Sequence, residues 1–272
     1  QGFMINKGGC EKGGPYGKNE YFYPWPIPLE GDSGQYLADK LTEETMKFIE
    51  TNKDSAFFAF LSFYSVHNPL RAKQETIAKY EKKKQEIAYT ESERFRYDFA
   101  WLDSTVNDGK YRYRQVQDHP VYAAMIEHVD ENVGRLMRKI ESLGLEEETI
   151  IIFTSDNGGL ATSEGSNTSN LPLKYGKGWL YEGGIREPLI IKWKENLPPY
   201  SSDAIVTSAD FYPTLLELAG LPYRPEQHID GKSFVAALKG EQFDRGPVYW
   251  HYPHYSNQGG KPGSVIRAGE WK

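Results

Sequence analysis

Two adjacent polar residues in the middle of the chain, Asp156 and Asn157, have side chains suited to binding a hard metal ion. They follow a run of four apolar residues at 150–153, which is typical of a strand buried on both faces. Ligands of open α/β sheets bind just beyond the carboxyl ends of the strands. Carboxylate and amide oxygens are ligands that Ca²⁺ and Mg²⁺ prefer. The alternative is an ordinary turn, because Asn-Gly is a favoured turn pair.

A histidine and a lysine could supply the chemistry beside such an ion. His67 follows a second apolar run, 56–64, so parallel strands would bring it to the same sheet edge as Asp156. Lys177 lies between two glycines, which let the backbone approach a ligand closely. An ammonium group there suits the oxygens of a phosphate or sulfate. A structural histidine and a flexible basic hairpin are the alternatives.

Two further histidines, His251 and His254, lie in an aromatic loop that ends in two glycines. A His-x-x-His spacing outside a helix is weak evidence for a metal site. We expect these side chains either to line a substrate site or to serve in packing.

The elements around these residues indicate an α/β protein. Apolar residues repeat at three and four positions in a helix predicted from Pro120 to Leu143, with Ile126 in its apolar seam. A short loop then leads into the strand at 150. This alternation of helix and strand is typical of a parallel sheet. Another helix is predicted from Tyr36 to Thr51, and residues 75–118 are predicted to form a helical hairpin and loop.

Composition excludes several classes of protein. The 272 residues are 39% hydrophobic and 26% charged, which indicates a globular chain. The net charge of −6 and the lack of a basic stripe argue against nucleic-acid binding. No apolar run approaches the length of a membrane span. Cys10 is the only cysteine, so there is neither an internal disulfide nor a cysteine metal cluster.

Several segments together resemble the type I sulfatases, the arylsulfatase-like branch of the alkaline-phosphatase superfamily. The resemblance covers nearly the whole chain. It is carried by Ser155-Asp-Asn-Gly158, by Gly176-Lys-Gly178 through Glu182-Gly-Gly-Ile-Arg-Glu-Pro188, by His67-Asn-Pro69, by the helix containing Val133-Gly-Arg135, and by Ala209-Asp-Phe-Tyr-Pro-Thr-Leu215. The second of these motifs is highly specific.

The resemblance implies a fold and a set of roles. The fold would be a mostly parallel sheet flanked by helices over residues 1–240, with an antiparallel carboxyl-terminal subdomain beginning at 241–272. Asp156 and Asn157 would be two ligands of a single Ca²⁺, while Lys177 and His67 would contact the sulfate. His67 would protonate the departing alcohol oxygen. The substrate would be a sulfate ester, with sulfated carbohydrates favoured over steroids, and the location would be periplasmic or secreted.

The nucleophile of this family is a formylglycine made from the first residue of a Cys/Ser-x-Pro-x-Arg motif. Cys10 lies in Gly-Gly-Cys-Glu-Lys-Gly, which has neither the proline nor the arginine, and no serine fits the motif. The paired acidic residues that complete the Ca²⁺ site are also missing. We therefore interpret the chain as part of a longer sulfatase, and expect this part alone neither to hydrolyse sulfate esters nor to bind Ca²⁺ tightly.

Two other functions remain open from the sequence. A phosphodiesterase or phosphonate hydrolase of the same superfamily would keep the fold and change the ester. A non-catalytic, sulfatase-like protein would use the loop with His251 and His254 to bind glycans. The oligomeric state is not predicted.

Overall fold

A computed structural model describes residues 2–99 and 110–272. Its helices and strands follow one another in the order α1 (Leu37–Thr51), α2 (Gln74–Gln85), α3 (Glu91–Arg94), β1 (Phe95–Phe99), β2 (Lys110–Arg114), α4 (Pro120–Ser142), β3 (Ile151–Thr154), α5 (Glu182–Ile185), β4 (Leu189–Lys192), a 3₁₀ turn (Ser208–Asp210), α6 (Phe211–Leu218), α7 (Val235–Leu238), β5 (Val248–Tyr252) and β6 (Gly263–Arg267).

The chain divides into two compact units. The first comprises Gln1–Glu146, Ser155–Pro188 and Ser256–Gly260; the second comprises Glu147–Thr154, Leu189–Tyr255 and Lys261–Lys272. The domain boundary predicted between residues 240 and 241 stays a prediction. No helix in the described residues is both long and apolar enough to cross a membrane.

The core of the first unit forms where α1 and α2 pack against α4. Tyr21, Tyr36, Leu37 and Met125 are almost completely buried in it. The predicted helix 36–51 is confirmed as α1, and Pro120 occupies the first turn of α4 as expected. These two helices shape the first unit, which also carries the loops of the candidate site.

The apolar seam predicted for α4 is only partly right: Ile140, in its last turns, is 3% exposed, but the earlier part of the seam is not in the core. Ile126 is 49% exposed, whereas His128 and Asn132 on the buried face are about 1% exposed. Both buried polar side chains have partners: His128 Nε2 accepts from the Lys73 amide at 3.2 Å, and Asn132 Nδ2 donates to Asp39 Oδ1 at 2.8 Å. Because these hydrogen bonds offset the cost of burial, polar residues take the core face.

The segment 56–64, predicted as a buried strand, is not a ladder strand among the described residues. Phe58 is 59% exposed and Phe60 is 72% exposed. Such an apolar run is buried on both faces only when chain segments flank it on both sides. The prediction of a helical hairpin at 75–118 is also only partly right: α2 is present, but β1 and β2 form an antiparallel pair, and 100–109 lie outside the described residues.

The second unit contains two antiparallel strand pairs. In the first, β3 pairs with β4 from Ile151 opposite Lys192 to Thr154 opposite Leu189; in the second, β5 pairs with β6. All three ladders in the described residues, including β1–β2, are antiparallel. Asp210 is fully buried and its carboxylate accepts from the Thr207 and Lys232 amides, while Arg245 forms an ion pair with it. This buried acid fixes the start of α6.

Candidate active site

His67 is held in a defined orientation by its own loop. The buried Tyr21 hydroxyl donates to the carbonyl oxygens of Tyr64 and His67, at 2.9 and 2.8 Å, which fixes the backbone that follows the segment 56–64. The exposed ring places Nδ1 2.7 Å from the Asn68 carbonyl oxygen, with the Tyr16 hydroxyl 3.3 Å away. Because a carbonyl oxygen only accepts, Nδ1 must carry the proton. The other ring nitrogen, Nε2, is then free to accept a hydrogen bond.

Lys177 supplies the donor to that nitrogen. Its Nζ lies 2.9 Å from His67 Nε2, although 110 residues separate the two in the sequence. The Lys177 amide donates to the Gly159 carbonyl at 3.2 Å. A Cβ added at Gly176 would lie 2.0 Å from that same carbonyl oxygen, so only glycine allows this backbone approach. The glycine before the lysine thus allows the backbone of this loop to contact the turn that follows Asp156 and Asn157.

Asp156 and Asn157 begin that turn. The Asn157 side-chain amide donates to the Asp156 carboxylate, and the Ser155 hydroxyl donates to the Asn157 carbonyl at 3.0 Å. Gly158 packs directly on the start of α5: its amide lies 3.3 Å from the Gly184 carbonyl, and an added Cβ would lie 1.8 Å from the Gly183 carbonyl. The two glycines of the Glu-Gly-Gly sequence therefore expose their backbone, and the turn with Asp156 packs directly against it.

The sequence did not identify Glu187 as part of this site. Its Oε1 atom is buried and has no hydrogen-bond partner among residues 2–99 and 110–272. Burial together with the nearby Asp156 charge raises the pKa of its carboxyl to about 7. Arg186-Glu-Pro188 was noted only as the end of a motif. A second acidic group near Asp156 is what a cation site provides, but no pattern in the sequence indicated this proximity.

The raised pKa of Glu187 predicts a pH-dependent stability. Its pKa is about 7 when folded and near the ordinary 4.5 when unfolded, so its contribution is fully present below pH 4.5 and is lost as the pH rises through 7. We expect Glu187→Gln to abolish this loss and to raise the free energy of unfolding at pH 8 by about 1–2 kcal/mol, after allowing for partial exposure. Denaturant unfolding of this chain at pH 5 and pH 8, with a chelator present, measures the difference. Equal effects at both pH values would contradict it.

His251 and His254 belong to the second unit. Both are exposed; His251 Nδ1 lies 2.7 Å from the Ser264 hydroxyl, and the His254 ring meets Tyr252 edge-on. Neither contact assigns a ligand, so substrate lining stays a prediction for both residues. In the described residues, no group of three or more His, Cys, Asp and Glu side chains could hold a metal ion.

The whole site fits within the first unit. Asp156, Asn157, His67 and Lys177 all belong to it, and the Gly159 carbonyl joins the turn after Asn157 to the Lys177 backbone. The histidine and the lysine singled out in the sequence are in contact, and their joint role in the chemistry stays a prediction. It missed Tyr16, which lies in an amino-terminal loop without periodicity.

Comparisons with known proteins identify the family of this chain. The sulfatase family model matches residues 6–221, and a model described as N-sulphoglucosamine sulphohydrolase, C-terminal, matches residues 174–272. A sulfatase from Formosa agariphila is 35% identical over 89% of this chain, and human arylsulfatase A is 35% identical over 53%. The chain spans 41% and 28%, respectively, of the length of these two relatives.

A solved structure gives the same result for the fold. The crystal structure of Ps i-CgsB in complex with k-i-k-neocarrahexaose is 27% identical, with a TM-score of 0.63 over 90% of this chain and 47% of that one. The expected α/β fold of the alkaline-phosphatase superfamily is thereby confirmed. The mostly parallel sheet predicted for it is not seen, because every ladder in the described residues is antiparallel. The family model covers well over half of the residues. This chain belongs to the sulfatase family.

Proposed function

We propose that the whole protein is a sulfatase that hydrolyses sulfate monoesters of carbohydrates. The observation that supports this best is the 2.9 Å contact between Lys177 Nζ and His67 Nε2, within one compact unit of a sulfatase-family chain. The carbohydrate part of the proposal is supported by the similarity to Ps i-CgsB, whose structure holds a neocarrahexaose. The proposal includes a periplasmic or secreted location, on the family resemblance alone.

Lys177 would neutralise the charge on the ester. A sulfate monoester carries its negative charge on the non-bridging oxygens, and an ammonium group aimed at them stabilises the transition state. In the free site this ammonium donates to His67 Nε2. A bound sulfate would draw Lys177 to its oxygens and free Nε2 at the same time. The two residues would thus exchange partners when the substrate binds.

His67 would protonate the leaving group. The S–O bond breaks with its electron pair on the alcohol oxygen, which then needs a proton. Once Lys177 has moved to the sulfate, Nε2 would take up a proton from solvent, and the imidazolium would donate that proton to the alcohol oxygen while Nδ1 keeps its 2.7 Å bond to the Asn68 carbonyl. The donation to the backbone fixes the ring orientation, so the imidazole does not need to reorganise during the reaction.

Asp156 and Asn157 would hold a Ca²⁺ ion. Both side chains carry hard oxygen atoms, and the buried unpartnered Oε1 of Glu187 is consistent with an ion nearby. The ion would contribute further positive charge at the sulfate oxygens. The remaining ligands, and a formylglycine nucleophile, would come from parts of the protein outside this sequence. His251 and His254, in the second unit, are proposed to bind carbohydrate.

Release of inorganic sulfate tests the proposal. The whole protein would be incubated with sulfated oligosaccharides, an aryl sulfate and an aryl phosphonate monoester, and the free anions would be quantified by ion chromatography. We expect sulfate release to exceed phosphonate hydrolysis. Preferential hydrolysis of the phosphonate would favour a phosphonate hydrolase instead. Binding of oligosaccharide without any hydrolysis would favour a glycan-binding protein.

A further inference from the structure

Glu164 lies in an exposed loop and joins two distant segments of the first unit. Its carbonyl and Oε2 accept from Asn68 Nδ2, at 3.1 and 3.4 Å. Its Oε1 accepts from Asn257 Nδ2 at 2.9 Å and from Gln258 Nε2 at 2.8 Å. The residues it joins are separated by more than 90 positions in the sequence. An exposed carboxylate with this many amide donors from separate segments serves as a connection between loops.

One of these segments orients His67. Asn68 follows His67 directly, and its carbonyl oxygen accepts from the imidazole Nδ1. The Asn68 side chain is fixed on both sides, because its Oδ1 accepts from Asn167 Nδ2 at 2.8 Å while its Nδ2 reaches Glu164. Glu164 is therefore linked to the His67 ring through Asn68, which contacts both residues.

The other segment supports the loop that carries Lys177. The Gln258 carbonyl accepts from Trp179 Nε1 at 2.9 Å and from the Thr162 hydroxyl at 2.7 Å. A Cβ added at Gly260 would lie 1.9 Å from the Gly178 carbonyl oxygen, so the two backbones are in direct contact. Residues 178 and 179 immediately follow Lys177. The segment Ser256–Gly260 thus fixes the position of the lysine, and Glu164 holds this segment.

We propose that Glu164 is a positioning residue that holds His67 and Lys177 at contact distance. This inference rests on the proposed function for its catalytic consequence, but its structural part stands without it. The carboxylate touches neither reacting group. It acts by fixing the two loops on which those groups lie, through its 3.4 Å contact with Asn68 on one side and its 2.8 Å contact with Gln258 on the other.

The backbone at Glu164 provides a variant that separates positioning from stability. Its φ is +50°, in the left-handed region that glycine adopts without strain. Glu164→Gly removes the side-chain hydrogen bonds but relieves this strain, so we expect its melting temperature to stay close to that of the original protein. Glu86→Ala, which removes an exposed carboxylate at the end of α2 in the same unit, is the matched control.

Two measurements test the positioning role. In the whole protein, we expect Glu164→Gly to lower kcat for a sulfate ester by about 10- to 100-fold with little change in KM, because misplaced catalytic groups lose rate rather than affinity. In this chain alone, ¹⁵N NMR of the His67 ring should show Nε2 losing the ammonium donor. The Glu86→Ala control should leave both readouts unchanged.

The two measurements separate this inference from the proposed function. A Glu164→Gly variant with an unchanged kcat and an unchanged His67 Nε2 signal would overturn the positioning role. If the original whole protein does not hydrolyse sulfate esters, the proposed function fails and the NMR measurement alone decides. An altered Nε2 signal in a folded variant then supports the positioning role, and an unaltered signal overturns it.

Discussion

Replacing Lys177 with alanine is expected to lower kcat/KM for a sulfate ester by about 100- to 1,000-fold, the loss seen when one preorganised charge stabiliser is removed. The ammonium lies 2.9 Å from His67 and is held by a loop in which glycine is required at residue 176. Its removal leaves the charge of the sulfate oxygens without that partner. The fold should not change, because this loop is held by backbone contacts.

Lys174→Ala is the matched control for this prediction. Lys174 lies in the same loop, but its ammonium stacks over the Tyr175 and Tyr181 rings at 4.8 and 4.4 Å. We expect this variant to stay within about threefold of the original activity, since exposed cation–π contacts contribute little. Initial rates of the whole protein and both variants, measured with one aryl sulfate, give the comparison. A Lys177→Ala variant within threefold of the original would remove this residue from the mechanism.

Replacing His67 with glutamine is expected to have an effect that depends on the leaving group. With a sulfated sugar, whose alcohol is a poor leaving group, the rate should fall by about 100- to 10,000-fold because general acid catalysis is lost. With an aryl sulfate of an acidic phenol, the leaving oxygen needs little protonation, and the loss should be far smaller. The ring nitrogen Nε2 is the atom that carries this difference.

The aryl substrate serves as the internal control for the His67 variant. A misfolded variant would lose activity on both substrates, whereas loss of the proton donor affects mainly the sugar. Rates for a series of aryl sulfates of graded phenol acidity should become more sensitive to leaving-group pKa in His67→Gln. An equal loss over the whole series would mean that His67 binds the substrate without transferring a proton.

The predicted parts of the site were those signalled by short, local motifs. The glycines around Lys177 and after Asn157 are needed where backbones touch, as at Gly176 and Gly158. Such contacts can be recognised in the sequence as glycines, because any side chain at these positions would clash with the facing backbone. His67 was singled out because it follows an apolar run; it contacts Lys177, although that run is not a ladder strand among the described residues.

The missed parts depend on long-range contacts between ordinary residues. Glu164 meets Asn257 through one hydrogen bond across 93 positions, and no periodicity in the sequence indicates such a pair. The buried face of α4 was misjudged because His128 and Asn132 are satisfied by partners on other segments. Apolar periodicity predicts where a helix lies, but the burial of polar groups depends on hydrogen bonds formed only in the folded chain.

The segment 56–64 shows a second limit. Its composition predicts a strand before His67, but a ladder requires a neighbouring strand, and the described residues supply none. An apolar run indicates that a segment is suited to burial, but it does not show which other segment of the chain pairs with it.

A double-mutant cycle on His67 and Lys177 tests the central claim, that both residues act on the same ester. The rates of the whole protein, of His67→Gln, of Lys177→Ala and of the double variant would be measured with one sulfated oligosaccharide. Because residues that act as a unit have non-additive effects, we predict that the double variant is only slightly slower than the slower single variant. Losses that multiply fully would show that the two residues act independently, and would contradict the account.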